Sequence, residues 1–420
     1  MVLRRNRRRE SASGLMSFQA AEAYREAGRL DEVLPALEQT LSHYTRRLGA
    51  RDPDTVTFRV YVAAAYQQVG RLDEAIPLFE SALEDTVQVL GGHHPSTLSC
   101  LTNLASAYQD AGNLSRAMEM QEQALADAKD LLGAGHPDTL LIQSNLAAAY
   151  LEAEDFGRAV ELNERTLADR IKVLGPRHQD TLTSYNNLAS TYQAAGQYHK
   201  AISLFESTVR GTAWNLGRDH PDVLMATNNL ASAYRDAGRL AEAIPMFRAA
   251  LADSRRILGA DHPGSLTLTH NLAGAHRDLG DLETAITLYE RNLMDRLRVL
   301  SLDHPDILES QNNLAETYQE AGRLDEAIAL FRSAVDAAER AEGLDHPRVL
   351  TYRNNLATAY ADHDRLDAAI PLLADALRRA RRALGADHSV TELIRTNLAT
   401  AFAKSGTGKA IVADAADPLF

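Results

Sequence analysis

"TLTSYNNLASTYQAAG", Thr181 to Gly196, is the stretch on which the reading of this chain turns. On a helical wheel of 100° per residue, Leu188 and Tyr192 fall about 100° and 140° from Asn187, toward neighbouring helices. Thr183, Ser190 and Ala194 stay within about 60° of it. Asn187 therefore heads a separate stripe of small and polar side chains. Asn is a mediocre helix former, because its amide competes for backbone hydrogen bonds. A periodic series of such residues needs a reason, and the series is there. Asn103, Asn145, Asn187, Asn229, Asn271, Asn313, Asn355 and Asn397 lie 42 residues apart, preceded in register by Gln19 and Tyr61.

Other positions keep the same step. A loop residue recurs at Asp52, His94, His136, His178, His220, His262, His304, His346 and His388. An aromatic or His recurs from Tyr24 and Tyr66 through His276 to Phe402, and Ala from Ala75 to Ala369 after Val33. Internal repetition without insertions marks a solenoid, a single array rather than a set of globular domains. Each unit reads as two helices. Pro95, Pro137, Pro221, Pro263, Pro305 and Pro347 suit a first helical position. Gly112, Gly196 and Gly238 suit a left-handed stop. Pro35 and Pro77 allow the second helix to begin no earlier than about Asp31 or Asp73. The count is nine helical hairpins and a tenth, lone helix near Val390–Lys404.

Composition bounds the function classes. The chain has 420 residues, 45% hydrophobic content and a net charge of −13. That acidity argues against general affinity for nucleic acid or an anionic membrane. The lone Cys100 fits a reducing compartment, and no apolar run approaches a membrane span. The basic start "MVLRRNRRRE" lacks the apolar segment of a secretory signal, so the expected placement is cytoplasmic. "LRRNRRRE" (Leu3–Glu10) overlays "TRRLGARD" (Thr45–Asp52) when moved by 42, and residues 1–10 are expected to be disordered or a degenerate repeat remnant. Residues 11–404 form the array and 405–420 a C-terminal tail.

The positions of Ala189, Tyr192, Gly196, Ala201 and Phe205 resemble the tetratricopeptide repeat. The 42-residue period and the "NNLA…Y…AG…A" wording look like the long-helix variety of kinesin light chains, which also occurs in bacterial arrays. The resemblance covers about residues 15–404. It implies an all-α, right-handed superhelical α-solenoid of helix-turn-helix repeats whose first helices line a concave groove. It also implies a non-enzymatic binding scaffold without cofactors, since such arrays mostly supply surfaces. The end repeats are expected to fray, with fastest hydrogen exchange before Arg25 and after Lys404.

On this reading the asparagine stripe faces the groove. An amide offers donor and acceptor together, which matches the backbone of an extended peptide. Seven residues after each Asn, on the same face, stand Asp110, Glu152, Asp236, Asp278, Glu320 and Asp362, interrupted at Ala194 and closed by Lys404. The expected partner is a protein or extended peptide with Lys or Arg, favoured between Asn103 and Asn145, with Arg235 and Arg277 neutralising part of the row. Two alternatives stand beside it. The asparagines could form a structural ladder between first helices, and the acids a solvated face. The whole could be the sensor arm of a bacterial signalling ATPase or effector system, or a self-assembling solenoid.

Other signals carry less. The loop histidines, about 10 Å apart, cannot share one metal ion. "SGTGKA", Ser405–Ala410, has Ala403 and Ala410 where a phosphate loop needs Gly and Ser or Thr. His270 and His276, about 120° apart on their helix, read as tolerated substitutions. Gln121 and Asn163 occupy the second-helix position that elsewhere carries Leu37, Phe79, Phe205, Phe247, Tyr289, Phe331 or Leu373. Either these amides find hydrogen-bond partners, or the array loosens locally between Ala117 and Leu167.

Overall fold

The computed structural model describes residues 33–406 and contains, among them, eighteen helices and no strand. The first helices run Pro53–Gln68, Pro95–Asp110, Pro137–Glu152, Gln179–Ala194, Pro221–Asp236, Pro263–Asp278, Pro305–Glu320 and Pro347–Asp362. The second helices run Leu34–Leu48, Leu72–Leu90, Leu114–Leu132, Phe156–Leu174, Tyr198–Leu216, Leu240–Ile257, Leu282–Val299, Leu324–Glu342 and Leu366–Ala383. A lone first helix, Ser389–Lys404, ends the series. The nineteenth expected helix, the basic remnant at 1–10, Gln19 and the tail from 407 lie outside the described residues.

Two compact units divide the chain, Met1–Gly211 and Thr212–Phe420. Within each, helices pack on the next helix in sequence, and first helices of successive repeats also touch. This is an all-α repeat solenoid. In the first unit Leu37, Phe79 and Phe205 fill the second-helix core position, and in the second unit Phe247, Tyr289, Phe331 and Leu373 do; all are essentially fully buried. Gln121 and Asn163 share that position and find hydrogen-bond partners there, although the Gln121 Oε1 stays buried without one. Both are buried; Asn163 donates to Thr191 Oγ1 at 2.9 Å and Gln121 to Gln109 Oε1 at 3.4 Å.

Local chemistry sets the helix ends. Gly112 and Gly196 stop first helices at φ 75° and 71°, conformations that suit a residue without Cβ. Glu154 and Asp364 take the same left-handed place at φ 59° and 56°, a strain that only these two non-glycine residues carry among those described. The aromatic of the first helix is tied to the preceding second helix. Tyr108 and Tyr318 donate to Glu80 and Glu290 at 2.5 Å. Arg71, Arg239, Arg323 and Arg365 lie over the rings of Tyr66, Tyr234, Tyr318 and Tyr360.

The loop histidines are N-caps. In all eight, Nδ1 accepts from the backbone N–H two residues on, at 3.1–3.3 Å, as Asp52 Oδ1 does at 3.0 Å. That satisfies one of the orphan donors at each helix start. His178→Ala should therefore destabilise by about 0.5–2 kcal/mol, whereas His178→Asp should restore the cap. Urea denaturation of the two variants checks this; equal loss in both would show that ring packing, not capping, holds the position.

Candidate functional site

All eight repeat asparagines, from Asn103 to Asn397, are half-buried, as a boundary stripe requires. Their surroundings differ between the two units. In the second unit the amides from Asn271 onward reach back to the residue that precedes the asparagine of the previous repeat. Asn271 Nδ2 donates to Asn228 Oδ1 at 2.8 Å, Asn355 to Asn312 at 3.0 Å and Asn397 to Asn354 at 2.8 Å. Asn313 Nδ2 lies 2.9 Å from His270 Nε2, so the histidine takes the acceptor's place. Asn355 also donates to Glu316 Oε1 at 3.0 Å. Asn229 sits at the start of this row and accepts from Asn228 at 3.5 Å.

Asn103, Asn145 and Asn187 in the first unit make no such rungs. The positions that would accept from Asn145 and Asn187 hold Thr102 and Ser144, whose hydroxyls turn back to the carbonyls of Leu98 and Leu140 in their own helices, and the one facing Asn103 holds Val60. Asn103, Asn145 and Asn187 have no side-chain hydrogen-bond partner among the described residues. Three half-buried amides thus present donors and acceptors along successive first helices, about 10 Å apart.

The acids form a second row. Asp110, Glu152, Asp236, Asp278, Glu320 and Asp362 are all exposed. In the first unit their partners are neutral: Gln67 donates to Asp110 at 2.6 Å and Gln109 to Glu152 at 2.8 Å. In the second unit cations intervene. Arg235 lies 3.2 Å from Asp236 and 3.5 Å from Asp278; Arg277 lies 2.9 Å from Glu316 and 3.8 Å from Glu320. Asp362 accepts from Gln319 at 2.7 Å and from Lys404 at 3.1 Å. Uncompensated negative charge is therefore concentrated at Asp110 and Glu152, beside the unbonded amides. The donors at the register just before the acid row, Gln67, Gln109, Arg235, Arg277 and Gln319, were not singled out as a row from sequence. Their signal was the same 42-residue step.

His270 and His276 do not converge and have separate partners. His276 Nδ1 lies 3.0 Å from Asp281 Oδ2 at the start of the next helix. His270 is buried edge-on against Tyr289, and burial together with Arg296, Arg235 and Arg277 lowers its pKa to about 3. Each substitution thus makes a specific contact in its place. Among the described residues no helix is long and apolar enough to cross a membrane.

Comparison with curated proteins finds no match. Among solved structures, the nearly identical TPR-like repeats of a Podosopora anserina kinesin light chain are 34% identical, covering 49% of this chain and 98% of that one with a TM-score of 0.46. BtubC (BKLC) from P. vanneervenii is 23% identical, covers 55% and 92%, and gives a TM-score of 0.47. The apo quorum sensor NprR from B. thuringiensis is 15% identical and covers 87% and 99% with a TM-score of 0.53, a likeness of fold alone. Tetratricopeptide repeat models match residues 56–130, 138–212, 222–293 and 306–382, and a second such model matches 18–86, 186–257 and 270–341. With tetratricopeptide repeats matched over well beyond half its length, the chain belongs to the tetratricopeptide repeat family.

Proposed function

We propose that this chain is a non-enzymatic scaffold that holds an extended, basic peptide on the first-helix face of its first unit. The observation that carries this reading is the set of unbonded, half-buried amides at Asn103, Asn145 and Asn187. An extended peptide advances about 3.3 Å per residue, so one amide would meet roughly every third residue. Each backbone hydrogen bond contributes only about 0.5–1.5 kcal/mol net, so charge must add selectivity. Asp110 and Glu152, bonded to neutral glutamines, supply it for Lys or Arg. In the second unit, Asn271, Asn313, Asn355 and Asn397 act as struts between first helices, and Asn229, Asp236, Asp278, Glu320 and Asp362 take a lesser part in binding.

A peptide array probed with the full chain tests this. Basic peptides should be captured, more weakly as salt rises. Asn103→Ala, Asn145→Ala and Asn187→Ala combined should weaken capture at least about tenfold, because two or three such bonds are lost. Thermal stability should hardly change. Undiminished capture by the triple variant would overturn the proposal.

A further inference from the structure

In most of the described repeats a second-helix residue faces a first-helix residue fourteen positions later, and the two share one slot. Ala128 packs in the same core as Ile142, Ala338 with Tyr352, and Ala380 with Ile394: small against large. The order reverses for Arg170 with Ser184 and Arg296 with Ser310. There the guanidinium fills the slot and donates to the serine at 2.8 and 2.7 Å. Two pairs are small on both sides, Thr86 with Cys100 and Thr212 with Ala226.

Beside Thr86 and Cys100 lies an open cavity of about 230 Å³. Its depth is further increased by Val56, where the equivalent position in the seven following repeats, Leu98 to Leu350, is leucine. Val60, Val89 and Leu90 complete an apolar wall, and Ser96, Ser99 and Asp85 stand at the rim. Asp85 accepts from Arg51 at 3.2 Å and from Arg59 at 2.8 Å, so the rim charges hold one another. An apolar cavity of about 150 Å³ already admits benzene. The groups that fill sister slots, an isoleucine, a tyrosine ring or a guanidinium stem, fix the size of what belongs here.

We infer that this cavity is a binding site for a small neutral ring molecule of about indole size. The apolar ring enters against Val56, Val60 and Cys100, and a single N–H or O–H group stays at the rim among the serine hydroxyls. Charged ligands gain nothing from the mutually paired Arg51, Arg59 and Asp85, and a larger molecule meets the helix walls. The site is separate from the asparagine face and does not depend on peptide binding.

Indole, titrated into the full chain, is the probe. Saturable binding is expected by calorimetry, with a rise in melting temperature. Cys100→Ile, which installs the residue found at 142 and 394, should weaken binding at least about tenfold by occupying the cavity. Thr86→Arg, the residue at 170 and 296, fills it from the opposite wall and should do the same, so the test survives if one variant misfolds. Because Cys100 is the only cysteine and burial pushes its thiol up, alkaline labelling of wild type should also slow when indole is present. Both filled variants should retain basic-peptide capture, which keeps a failure here distinct from a failure there. No saturable binding by wild type, or equal binding by both filled variants, would overturn the inference.

Discussion

Replacing Asn271, Asn313 and Asn355 together with alanine should lower unfolding stability by roughly 1–7 kcal/mol and leave peptide capture unchanged. Each substitution strands a partner, Asn228, His270 or Asn312, at a buried seam. An unpaired buried polar group costs about 1–3 kcal/mol. Alanine returns up to about 0.7 kcal/mol per site through helix propensity, too little to offset the loss. The same triple change in the first unit, at Asn103, Asn145 and Asn187, strands nothing and should be neutral or slightly stabilising. Two sets of identical substitutions, in identical registers, thus have opposite signatures. Urea unfolding of both triples, followed by far-ultraviolet circular dichroism, separates them. Equal destabilisation would mean that the first-unit amides are also struts, and the proposed binding face would go with them. Because repeat arrays unfold in parts, the comparison should use local protection in each unit as well as the global midpoint.

That contrast was only half legible in the sequence. The helices, their caps and the core positions were readable because a gapless 42-residue step superposes every repeat, so that His94 and Leu188 each report on their equivalents. The wheel also placed the asparagines on a boundary, where they are found half-buried. What it could not give was the stagger between first helices, which brings Asn271 to Asn228 rather than to Asn229. A periodicity fixes the face of a residue, and its partner depends on the offset between neighbours. The acceptor position carries the signal: Asn228, His270, Asn312 and Asn354 stand where the second-unit rungs form, whereas the positions that would serve Asn103, Asn145 and Asn187 hold Val60, Thr102 and Ser144, and the asparagine series begins only at Asn186. Hydroxyls on a helix satisfy themselves at the i−4 carbonyl, so a Thr or Ser there removes the rung. The cavity had a similar trace, because Thr86 and Cys100 break a fourteen-residue complementarity that no single-helix pattern displays. Gln121 and Asn163 looked destabilising from sequence because their partners, Gln109 and Thr191, lie on other helices.

Acidification should destabilise the second unit through His270, and His270→Asn should abolish that sensitivity while keeping the rung. The histidine is 8% exposed, with its ring 5.2 Å from Tyr289 and its Nε2 beside the Asn313 amide. Its Nδ1 is buried without a partner. Desolvation, then the charges of Arg296, Arg235 and Arg277, lower its pKa from 6.5 to about 3; Glu309, 3.8 Å away, does not reverse this. In the unfolded chain the group should titrate near the ordinary ~6.5. Between these values the unfolded state binds a proton that the folded state refuses, so stability falls as pH falls. The contribution is intact above about pH 6.5 and drains at up to about 1.4 kcal/mol per unit toward pH 3. Between pH 7 and 5, above most carboxylate titration, wild type should lose roughly 2 kcal/mol more than His270→Asn. Asparagine stands at the equivalent positions Asn228, Asn312 and Asn354, and its Oδ1 can accept from Asn313 as the imidazole does. The variant is therefore expected to fold and to match wild type more closely at neutral pH than at pH 5. Protonation would also set an Nε2–H against the Asn313 NH₂, breaking the rung at the same moment. Parallel stability curves for the two proteins from pH 7 to 5 would show that the ring finds a proton acceptor or solvent in the folded state, contrary to the packing described.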